Sequence, residues 1–362
     1  MGKKKVVVGM SGGVDSSVAA YLLKKAGYDV IGVTMQIWQD EAETVQEENG
    51  GCCGLSAVDD ARRVAQVLDI PYYVMNFKKE FRENVMDYFT NEYLCGRTPN
   101  PCIACNRYVK WEALLQRSLS IGADYIATGH YARIEQLANG RYAIANSVTA
   151  AKDQTYALYN LTQLSHTLMP VGDYTKDQIR EIAAKIGLPV AKKKDSQEIC
   201  FVPDQDYASF IQNETGIVAP KGNFVNTKGE ILGTHEGITH YTVGQRRGLG
   251  LPMGHRVFVL EIRPETNEVV VGENEEVFAK VVKANKVNYM AIPPLELGEE
   301  LSCTAKIRYG HKGSPCVIKR TGEDEITCTF PDGVRAPTPG QAVVFYVDGC
   351  VGGGGTITEA ER

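Results

Sequence analysis

No run of apolar residues approaches the roughly 20 that a membrane-spanning helix needs, although 43% of the 362 residues are hydrophobic. The basic residues 1–5 lead directly into the strand-like Val6–Val8, so the long apolar segment of a signal peptide is missing as well. These absences predict a cytoplasmic protein. A chain of this length is too long for one hydrophobic core, which predicts two or three domains.

An excess of positive charge is also lacking, because 39 Lys and Arg stand against 44 Asp and Glu, for a formal net charge of −5. A polyanionic partner would therefore have to bind local basic patches. Residues 301–320 hold five Lys or Arg and no acid, and form one candidate patch, with a charged strand face as the alternative. Arg246 and Arg247, in a glycine-rich loop, form a weaker candidate.

The ten cysteines lack the regular spacing of a disulfide framework, a pattern that belongs to short secreted chains. Most of them are therefore expected to be reduced. Five fall within strand or helix patterns and are predicted to lie in the core, namely Cys95, Cys303, Cys316, Cys328 and Cys350.

Two patterns of secondary structure divide the chain near residue 216. Before it, short β runs alternate with helical periodicity, which predicts an α/β domain with a parallel sheet over residues 1–215. After it, hairpin turns at 226–229 and 264–267 predict a central β-rich domain over 216–278 and a C-terminal β-barrel over 279–362. The N-terminal strands are predicted at 5–10, 29–36, 72–76 and 124–131, and the helices at 16–26, 57–68, 80–94, 110–119 and 175–187.

The segment SGGVDSS, residues 11–17, follows the first predicted strand and opens the first predicted helix. Its two glycines allow a tight turn, so backbone N–H groups and the helix N-terminus can point at an anion. The serine hydroxyls add donors, and Asp15 could hold Mg²⁺. The Gly-Lys-Ser/Thr ending of a Walker A loop is missing. The loop resembles the SGGxDS loop of the ATP pyrophosphatases, which adenylate a substrate oxygen; a serine-capped glycine turn is the alternative.

Three further residues are predicted at the carboxyl edge of the sheet, where nucleotides bind in such folds. Met35 ends the second strand and is either an adenine contact or a core methionine. Gly129 follows the 124–128 strand segment and permits close approach of a ligand, while His130 could contact substrate.

Two cysteine segments carry candidate sulfur chemistry. GRTPNPCIACN, residues 96–106, places Cys105 near a helix start with Arg107 and Lys110 close by, a setting that favours the thiolate. In the segment KKKDSQEICF, Cys200 follows three lysines. A Cys-x-x-Cys pair alone would fit redox chemistry, zinc or neither.

These segments, together with ATGHYARI, AKDQTYALY, YTVGQRRGLG and PGQAVVFY, resemble the bacterial tRNA-specific 2-thiouridylases over about residues 6–357. The resemblance implies an ATP-pyrophosphatase domain, a small central domain and a C-terminal β-barrel. It implies a sulfurtransferase that 2-thiolates the wobble uridine of the tRNAs for Lys, Glu and Gln. ATP is converted to AMP and pyrophosphate, and sulfur comes from a cysteine desulfurase, directly or through relay proteins.

The resemblance also assigns individual residues. Cys105 matches the family's nucleophile and Cys200 its persulfide-bearing cysteine. The nucleotide contacts match Gly9, Met10, Ser11, Gly12, Gly13, Val14, Asp15, Ser16, Met35 and Gly129. The tRNA contacts match Asn100, Pro101, Cys102, His130, Lys152, Asp153, Gln154, Arg308, Tyr309 and Gln341.

In the implied reaction, Cys105 attacks the Cys200 persulfide and a disulfide between the two remains. One position departs from the family, since many members carry an aspartate with an acid–base role where this chain has Cys102. Three cysteines then share one site, so a [4Fe–4S] cluster on Cys102, Cys105 and Cys200 is the alternative mechanism.

Three other classes of protein explain less of the sequence. An ATP-pyrophosphatase ligase or amidotransferase would share the phosphate loop without needing paired cysteines. A zinc enzyme would need four clustered ligands, of which Cys102 and Cys105 supply two. A non-catalytic RNA-binding module would leave the phosphate loop unexplained.

Overall fold

The computed structural model describes residues 2–37, 55–193 and 199–362. The chain divides into two compact units. The first comprises Met1–Val85, Cys102–Gln205 and Gly349–Val351, and the second Met86–Pro101, Asp206–Asp348 and Gly352–Arg362.

Unit one is built on a parallel sheet. The strands of unit one are β1 (Lys5–Gly9), β2 (Asp29–Gln36), β3 (Tyr72–Asn76), β4 (Tyr125–Ala127), β5 (Ala132–Gln136), β6 (Tyr142–Asn146) and β7 (Thr167–Leu168). Five of them pair in the order β3-β2-β1-β4-β7, with every neighbouring pair parallel. The strands β5 and β6 form an antiparallel hairpin. The predicted parallel sheet is confirmed.

Both faces of this sheet are covered, as the unbroken apolar run in β1 requires. Val6 and Val8 join one hydrophobic cluster, whereas Val7, which points to the opposite face, is also fully buried. The helices of unit one are α1 (Val14–Lys25), α2 (Leu55–Leu68), α3 (Lys78–Phe81), α5 (Pro101–Ala104), α6 (Leu115–Ser120) and α7 (Lys176–Lys185), with α4 (Asp87–Leu94) following α3 into unit two. Helix α1 packs on α2 and α7, and α3 packs along a π-helical segment, Cys105–Leu114, that joins α5 to α6.

Two predicted boundaries in this unit were wrong. The helix predicted to start at residue 110 begins at Pro101, because proline is favoured in a first helical turn, where no N–H partner is lost. The strand predicted over 124–131 ends at Ala127, since the chain then turns onto the start of α1. The predicted capping box of α7 is confirmed, with Thr175 and Gln178 bonded reciprocally and Gly187 left-handed just beyond the helix.

Unit two holds a four-stranded sheet and a barrel. Helix α8 (Tyr207–Thr215) ends at the left-handed Gly216. The sheet has the order β10-β11-β8-β9, and both predicted hairpin turns lie between paired strands. Its strands are β8 (Gly222–Val225), β9 (Ile231–His235), β10 (Phe258–Arg263) and β11 (Glu268–Gly272).

The predicted C-terminal barrel is confirmed. Its strands are β12 (Phe278–Tyr289), β13 (Glu300–Lys306), β14 (Ser314–Gly322), β15 (Glu325–Arg335), β16 (Ala342–Val347) and β17 (Cys350–Glu361). They follow the order β12-β15-β14-β13-β16-β17, and pairing of β12 with β17 closes the ring. The glycines of β17 are needed there, since a Cβ on Gly353 would lie 2.3 Å from the carbonyl oxygen of Asn288 and 2.6 Å from the ring of Phe345.

The core prediction for the cysteines is correct for three of the five. Cys316, Cys328 and Cys350 are buried, Cys303 is half-buried, and Cys95 is exposed. The prediction for Cys95 was wrong because this residue follows the last turn of α4 instead of facing its packed side. Within the described ranges, no helix is long and apolar enough to cross a membrane.

Candidate nucleotide and sulfur-transfer site

The turn between β1 and α1 has the geometry of an anion-binding loop. Gly12 has a φ of +68°, and a Cβ there would lie 2.3 Å from the carbonyl oxygen of Ala57, so no other residue fits. Helix α1 begins at Val14 with Gly13 as its N-cap, a residue with no side chain to occupy the first N–H groups. The loop therefore presents backbone donors and the positive end of the helix dipole to an anion.

The serine hydroxyls of the loop mainly brace it. Ser16 Oγ accepts from the backbone N–H of Ser11 at 3.2 Å and donates to the carbonyl oxygen of Gly13 at 3.3 Å. Ser17 Oγ donates to the same oxygen at 2.7 Å. Ser16 and Ser17 are buried whereas Ser11 is exposed, so Ser11 is the hydroxyl that a ligand can reach directly.

Side-chain burial separates the predicted nucleotide contacts into two groups. Met10 and Val14 are each 2% exposed and belong to the hydrophobic core, so only their backbone atoms face the loop. Met35 is half-buried at the carboxyl end of β2, and is therefore not the buried core methionine of the alternative interpretation.

Gly129 lies directly on the start of α1. A Cβ at this position would be 2.5 Å from the backbone nitrogen of Ser16 and 2.6 Å from the carbonyl carbon of Asp15. The loop after β4 thus contacts the phosphate loop without any intervening side chain, and the two carboxyl ends of β1 and β4 form one edge.

The next residue, His130, is held as a neutral ring. Its Nδ1 lies 2.7 Å from Thr128 Oγ1, and its ring centroid lies 5.7 Å from that of Trp111. Burial lowers the pKa of His130 well below its usual value, and the nearby charge of Lys110 lowers this pKa further. An uncharged imidazole can contact substrate by hydrogen bonding or stacking, not as a cation.

An ion pair at the loop was missed by the sequence analysis. Lys176 Nζ lies 2.8 Å from Asp15 Oδ1 and 2.9 Å from Oδ2, and the Tyr131 hydroxyl donates to Oδ1 at 2.8 Å. Lys176 is the first residue of α7, far along the chain from the loop. Only its position after a well-capped helix start could have singled it out.

The helix that begins at Pro101 carries two of the candidate cysteines. Cys102 and Cys105 are three residues apart on a continuous helical path, so both lie on one side of it. Cys102 is exposed and Cys105 half-buried.

The cations predicted to stabilise the Cys105 thiolate have other partners. Arg107 Nε donates to Glu112 at 2.6 Å, and Lys110 Nζ donates to Asn106 Oδ1 at 2.8 Å. The buried Asn106 in turn donates to the carbonyl oxygen of Ala157 at 2.9 Å. These bonds fix the helix that begins at Pro101 and carries Cys102 and Cys105, called here the cysteine helix. They leave less uncompensated positive charge near Cys105 than the sequence suggested.

Cys200 belongs to a segment that packs against α3. It is half-buried, and the ring of its neighbour Phe201 meets that of Phe81 in α3 at a centroid distance of 5.6 Å. Because α3 also packs along the helical segment Cys105–Leu114, both cysteine segments border α3. Of the three lysines before Cys200, Lys193 is paired with Asp60 at 2.7 Å, and Lys194 lies outside the described residues.

Across the residues that the structure describes, no three His, Cys, Asp or Glu side chains come close enough together to hold a metal ion. Because the three thiolates of a [4Fe–4S] cluster would each bind a different iron, this result leaves the cluster on Cys102, Cys105 and Cys200 as an alternative.

The predicted tRNA contacts of unit one lie next to the nucleotide edge. Gln154 Oε1 accepts from the backbone N–H of Tyr131 at 2.9 Å, and Asp153 Oδ2 accepts from that of Ser147 at 2.9 Å. These two side chains therefore shape the loop beside Tyr131 and His130, and Lys152 is half-buried in the same turn.

Gln341, a predicted tRNA contact in unit two, is hydrogen-bonded to the loop before Pro101. Its Nε2 donates to the carbonyl oxygens of Thr98 at 2.9 Å and Pro99 at 3.3 Å. The backbone N–H of Thr98 donates to Pro339 at 2.9 Å, so the barrel fixes the segment that contains the half-buried Asn100 and the buried Pro101.

The basic stretch 301–320 is not one uniform face. Lys319 is paired with Glu300 at 2.9 Å, and Arg320 donates to the carbonyl oxygen of Leu295 at 2.8 Å. Arg308 and Lys312 are exposed, and Tyr309 between them is 50% exposed.

Comparisons with known proteins cover nearly the whole chain. Residues 4–204 match the family model described as the tRNA methyl transferase HUP domain, residues 208–273 that of the tRNA methyl transferase PRC-barrel domain, and residues 279–357 that of the aminomethyltransferase beta-barrel domain.

Curated relatives are similar from end to end. The chain is 71% identical over 356 residues to the tRNA-specific 2-thiouridylase MnmA of Lachnoclostridium phytofermentans, covering 98% of this chain and 99% of the relative. It is 57% identical over 359 residues to the protein of the same name from Clostridium perfringens, covering 99% of each. Solved structures are more distant; a 4-thiouridine synthetase–RNA complex with bound ATP is 19% identical, covers 56% of this chain and 46% of that one, and has a TM-score of 0.33, too low to bear on function.

Proposed function

The chain belongs to the family of the tRNA-specific 2-thiouridylases, and from that premise we propose that it uses ATP to replace the 2-oxygen of a tRNA uridine with sulfur. The observation that carries this proposal is the connection of two sites within unit one. The cysteine helix reaches the phosphate loop through Trp111, which contacts His130, and through Gly129, which lies on Asp15.

The first half of the reaction is activation of the base. A uridine 2-oxygen is a poor leaving group until it is adenylated, and the backbone donors at the start of α1 would stabilise the pyrophosphate that departs. The proposed nucleotide contacts are those of the loop, Met35 and Gly129. Mg²⁺, held by the phosphates and Asp15, would neutralise charge on the nucleotide.

The second half is sulfur transfer. The terminal sulfur of a Cys200 persulfide bonds to C2 of the base, and AMP leaves with the former 2-oxygen. The Cys105 thiolate then attacks Cys200 Sγ, the bond from Cys200 to the transferred sulfur breaks, and its electron pair stays on the new 2-thio group. A Cys105–Cys200 disulfide remains, which a thiol reductant must reduce before the next turnover. That both cysteine segments border α3 supports this route.

The [4Fe–4S] cluster on Cys102, Cys105 and Cys200 is the alternative route. Cys102 is exposed on the same side of the helix as Cys105, one turn closer to its start. We propose that it contacts the target base together with Asn100 and Pro101.

The rest of the chain is proposed to bind tRNA. In this division, residues 1–215 form the catalytic domain, 216–278 a central domain and 279–362 a tRNA-binding barrel. His130, Lys152, Asp153, Gln154, Arg308, Tyr309 and Gln341 are proposed tRNA contacts. The proposed substrates are the tRNAs for Lys, Glu and Gln, and the proposed sulfur source is a cysteine desulfurase or a relay protein.

The test is a reaction of the purified protein with ATP, tRNA and a persulfide donor, followed by nucleoside analysis. We expect 2-thiouridine and AMP in equal amounts, with AMP release dependent on tRNA. Omission of the sulfur donor should abolish 2-thiouridine. Two of the matched family models are described as tRNA methyl transferase domains, so a parallel reaction with S-adenosylmethionine tests for methylation. We expect no methylated base. A methylated product without 2-thiouridine would overturn the proposal.

A further inference from the structure

Lys176 occupies an unusual position for a lysine. It is the first residue of α7, where the positive end of the helix dipole disfavours a cation. Its side chain is only 12% exposed, and that of Asp15 is 27% exposed. Removing an ion pair from water this far does little for stability, because desolvation offsets most of the attraction. The position of Lys176 therefore calls for an explanation other than folding.

The neighbourhood of the ammonium group supplies one. Asp15 is the second residue of α1, within the loop whose backbone donors face an anion. Tyr131 directs its hydroxyl at the same carboxylate, and its ring centroid lies 6.0 Å from Lys176 Nζ. A compact cation thus lies at the mouth of a candidate anion site, against a carboxylate and an aromatic ring.

We propose that Lys176 is a polyphosphate-binding residue of this site, paired with Asp15 before the nucleotide binds and transferred to the departing pyrophosphate during adenylation. The inference rests on the proposed function and deepens it. When ATP binds, the Lys176 ammonium leaves Asp15 and neutralises charge that develops on the leaving group, and the Asp15 carboxylate would then be available to hold Mg²⁺. A preorganised charge of this kind acts mainly in the transition state.

The first experiment compares Lys176→Gln with Lys185→Gln, an exposed lysine in the last turn of the same helix. Loss of one preorganised group that stabilises developing charge typically lowers the rate about 10²–10³-fold. We expect tRNA-dependent pyrophosphate release to fall by about that factor in Lys176→Gln, with ATP affinity reduced far less, and to be unchanged in Lys185→Gln. Lys176→Arg should recover part of the rate.

The second experiment remains decisive if Lys176→Gln does not fold. Asp15→Asn keeps the cation, and Asp15→Asn with Lys176→Met removes it, while neither leaves an unpaired carboxylate at the loop. Inorganic pyrophosphate, titrated calorimetrically, should bind the single variant at least about tenfold more tightly than the double variant. Equal affinities would overturn the inference, as would a normal rate in a folded Lys176→Gln protein. Failure of the wild-type protein to form 2-thiouridine would instead overturn the proposed function.

Discussion

At the scale of single residues, chemistry at this site depends on how each side chain is held. The pKa of the half-buried His130 is lowered by loss of water and by the charge of Lys110, and its Nδ1 lies within hydrogen-bond distance of Thr128 Oγ1. Cys105 and Cys200 lie in segments fixed by Asn106 and Phe201. Residues of the right type were visible in the sequence, whereas their charge and exposure were decided by these neighbours.

The lowered pKa of His130 makes stability depend on pH. Above about pH 6.5 the ring is neutral both folded and unfolded, but below it the unfolded chain binds a proton that the folded chain does not. The free energy of unfolding should therefore fall as the pH drops from 6.5 to 5. In His130→Asn, urea unfolding at these pH values should show a slope smaller by up to about 1.4 kcal/mol per pH unit.

His235 and His311 also have a pKa lowered by burial, so the wild-type slope contains their contributions. Only the difference between wild type and His130→Asn reports on His130, and an unchanged slope would show that its ring is protonated in the folded protein.

Three cysteine variants separate the two sulfur-transfer routes. Cys105→Ser and Cys200→Ser should each abolish thiolation while binding ATP and tRNA normally, because a hydroxyl can neither carry nor exchange persulfide sulfur. Cys102→Ser should keep much of its activity, and a Cys105–Cys200 disulfide should be trappable after turnover. The exposed Cys95 provides the matched control as Cys95→Ser. Loss of bound iron and activity together in Cys102→Ser would favour the cluster, and full activity of Cys200→Ser would exclude both routes.

At the scale of elements, the loop before the cysteine helix depends for its conformation on hydrogen bonds to the barrel. Residues 97–100 lie outside any helix or strand, and the backbone groups of Thr98 and Pro99 bond to Pro339 and Gln341. Proline at 99 and 101 limits the conformations of the segment. Its geometry is therefore set jointly by local stiffness and by distant hydrogen bonds.

Removing the Gln341 amide should loosen this loop. Gln341→Ala deletes two hydrogen bonds to carbonyl groups, each worth about 1 kcal/mol, so amide exchange within residues 96–101 should accelerate at least about fivefold. Thiolation should decrease with it. Gln212→Ala, at an exposed glutamine of α8 in the same unit, should leave exchange unchanged. Unaltered exchange with weakened tRNA binding would instead assign Gln341 to direct contact alone.

At the scale of the whole molecule, an acidic protein is proposed to bind a polyanion, so binding must depend on where its cations remain available. Within the basic stretch, Lys319 is paired with Glu300, and the half-buried Arg320 donates to several backbone oxygens. Arg308 also donates to one backbone oxygen, that of Arg335 at 2.7 Å, but its side chain is exposed. Arg308 and Lys312 stay exposed next to Tyr309, a side chain suited to stacking. The stretch thus contains a small group of accessible cations.

Charge removal at this group should change the salt dependence of tRNA binding. Arg308→Gln with Lys312→Gln should weaken binding and reduce the slope of log K against log salt by about two, one per phosphate contact. ATP affinity should be unaffected. Lys319→Gln, which removes a cation already paired, should alter the slope much less. Equal slopes for the double variant and wild type would show that these cations do not contact phosphate.

Local patterns in the sequence determined much of the fold. The first three strands of unit one, the capping box at Thr175 and Gln178, the hairpin turns and the barrel all follow from periodicity and turn chemistry within a few residues. The phosphate loop belongs here too, because the φ of +68° that its turn requires at Gly12 favours glycine locally. Such features could be predicted because their causes lie within the segment itself.

Only the tertiary structure decided which distant groups meet. Lys176 reaches Asp15 across 161 positions, and Gln341 reaches Thr98 across 243. Composition and periodicity indicate which side of an element is buried, but not which partner covers it. They also did not show that Cys95 lies past the packed end of α4, so this residue was wrongly assigned to the core. The sequence by itself determined the chemical groups and the elements that carry them; long-range packing determined their partners, because a contact between remote residues leaves no local pattern.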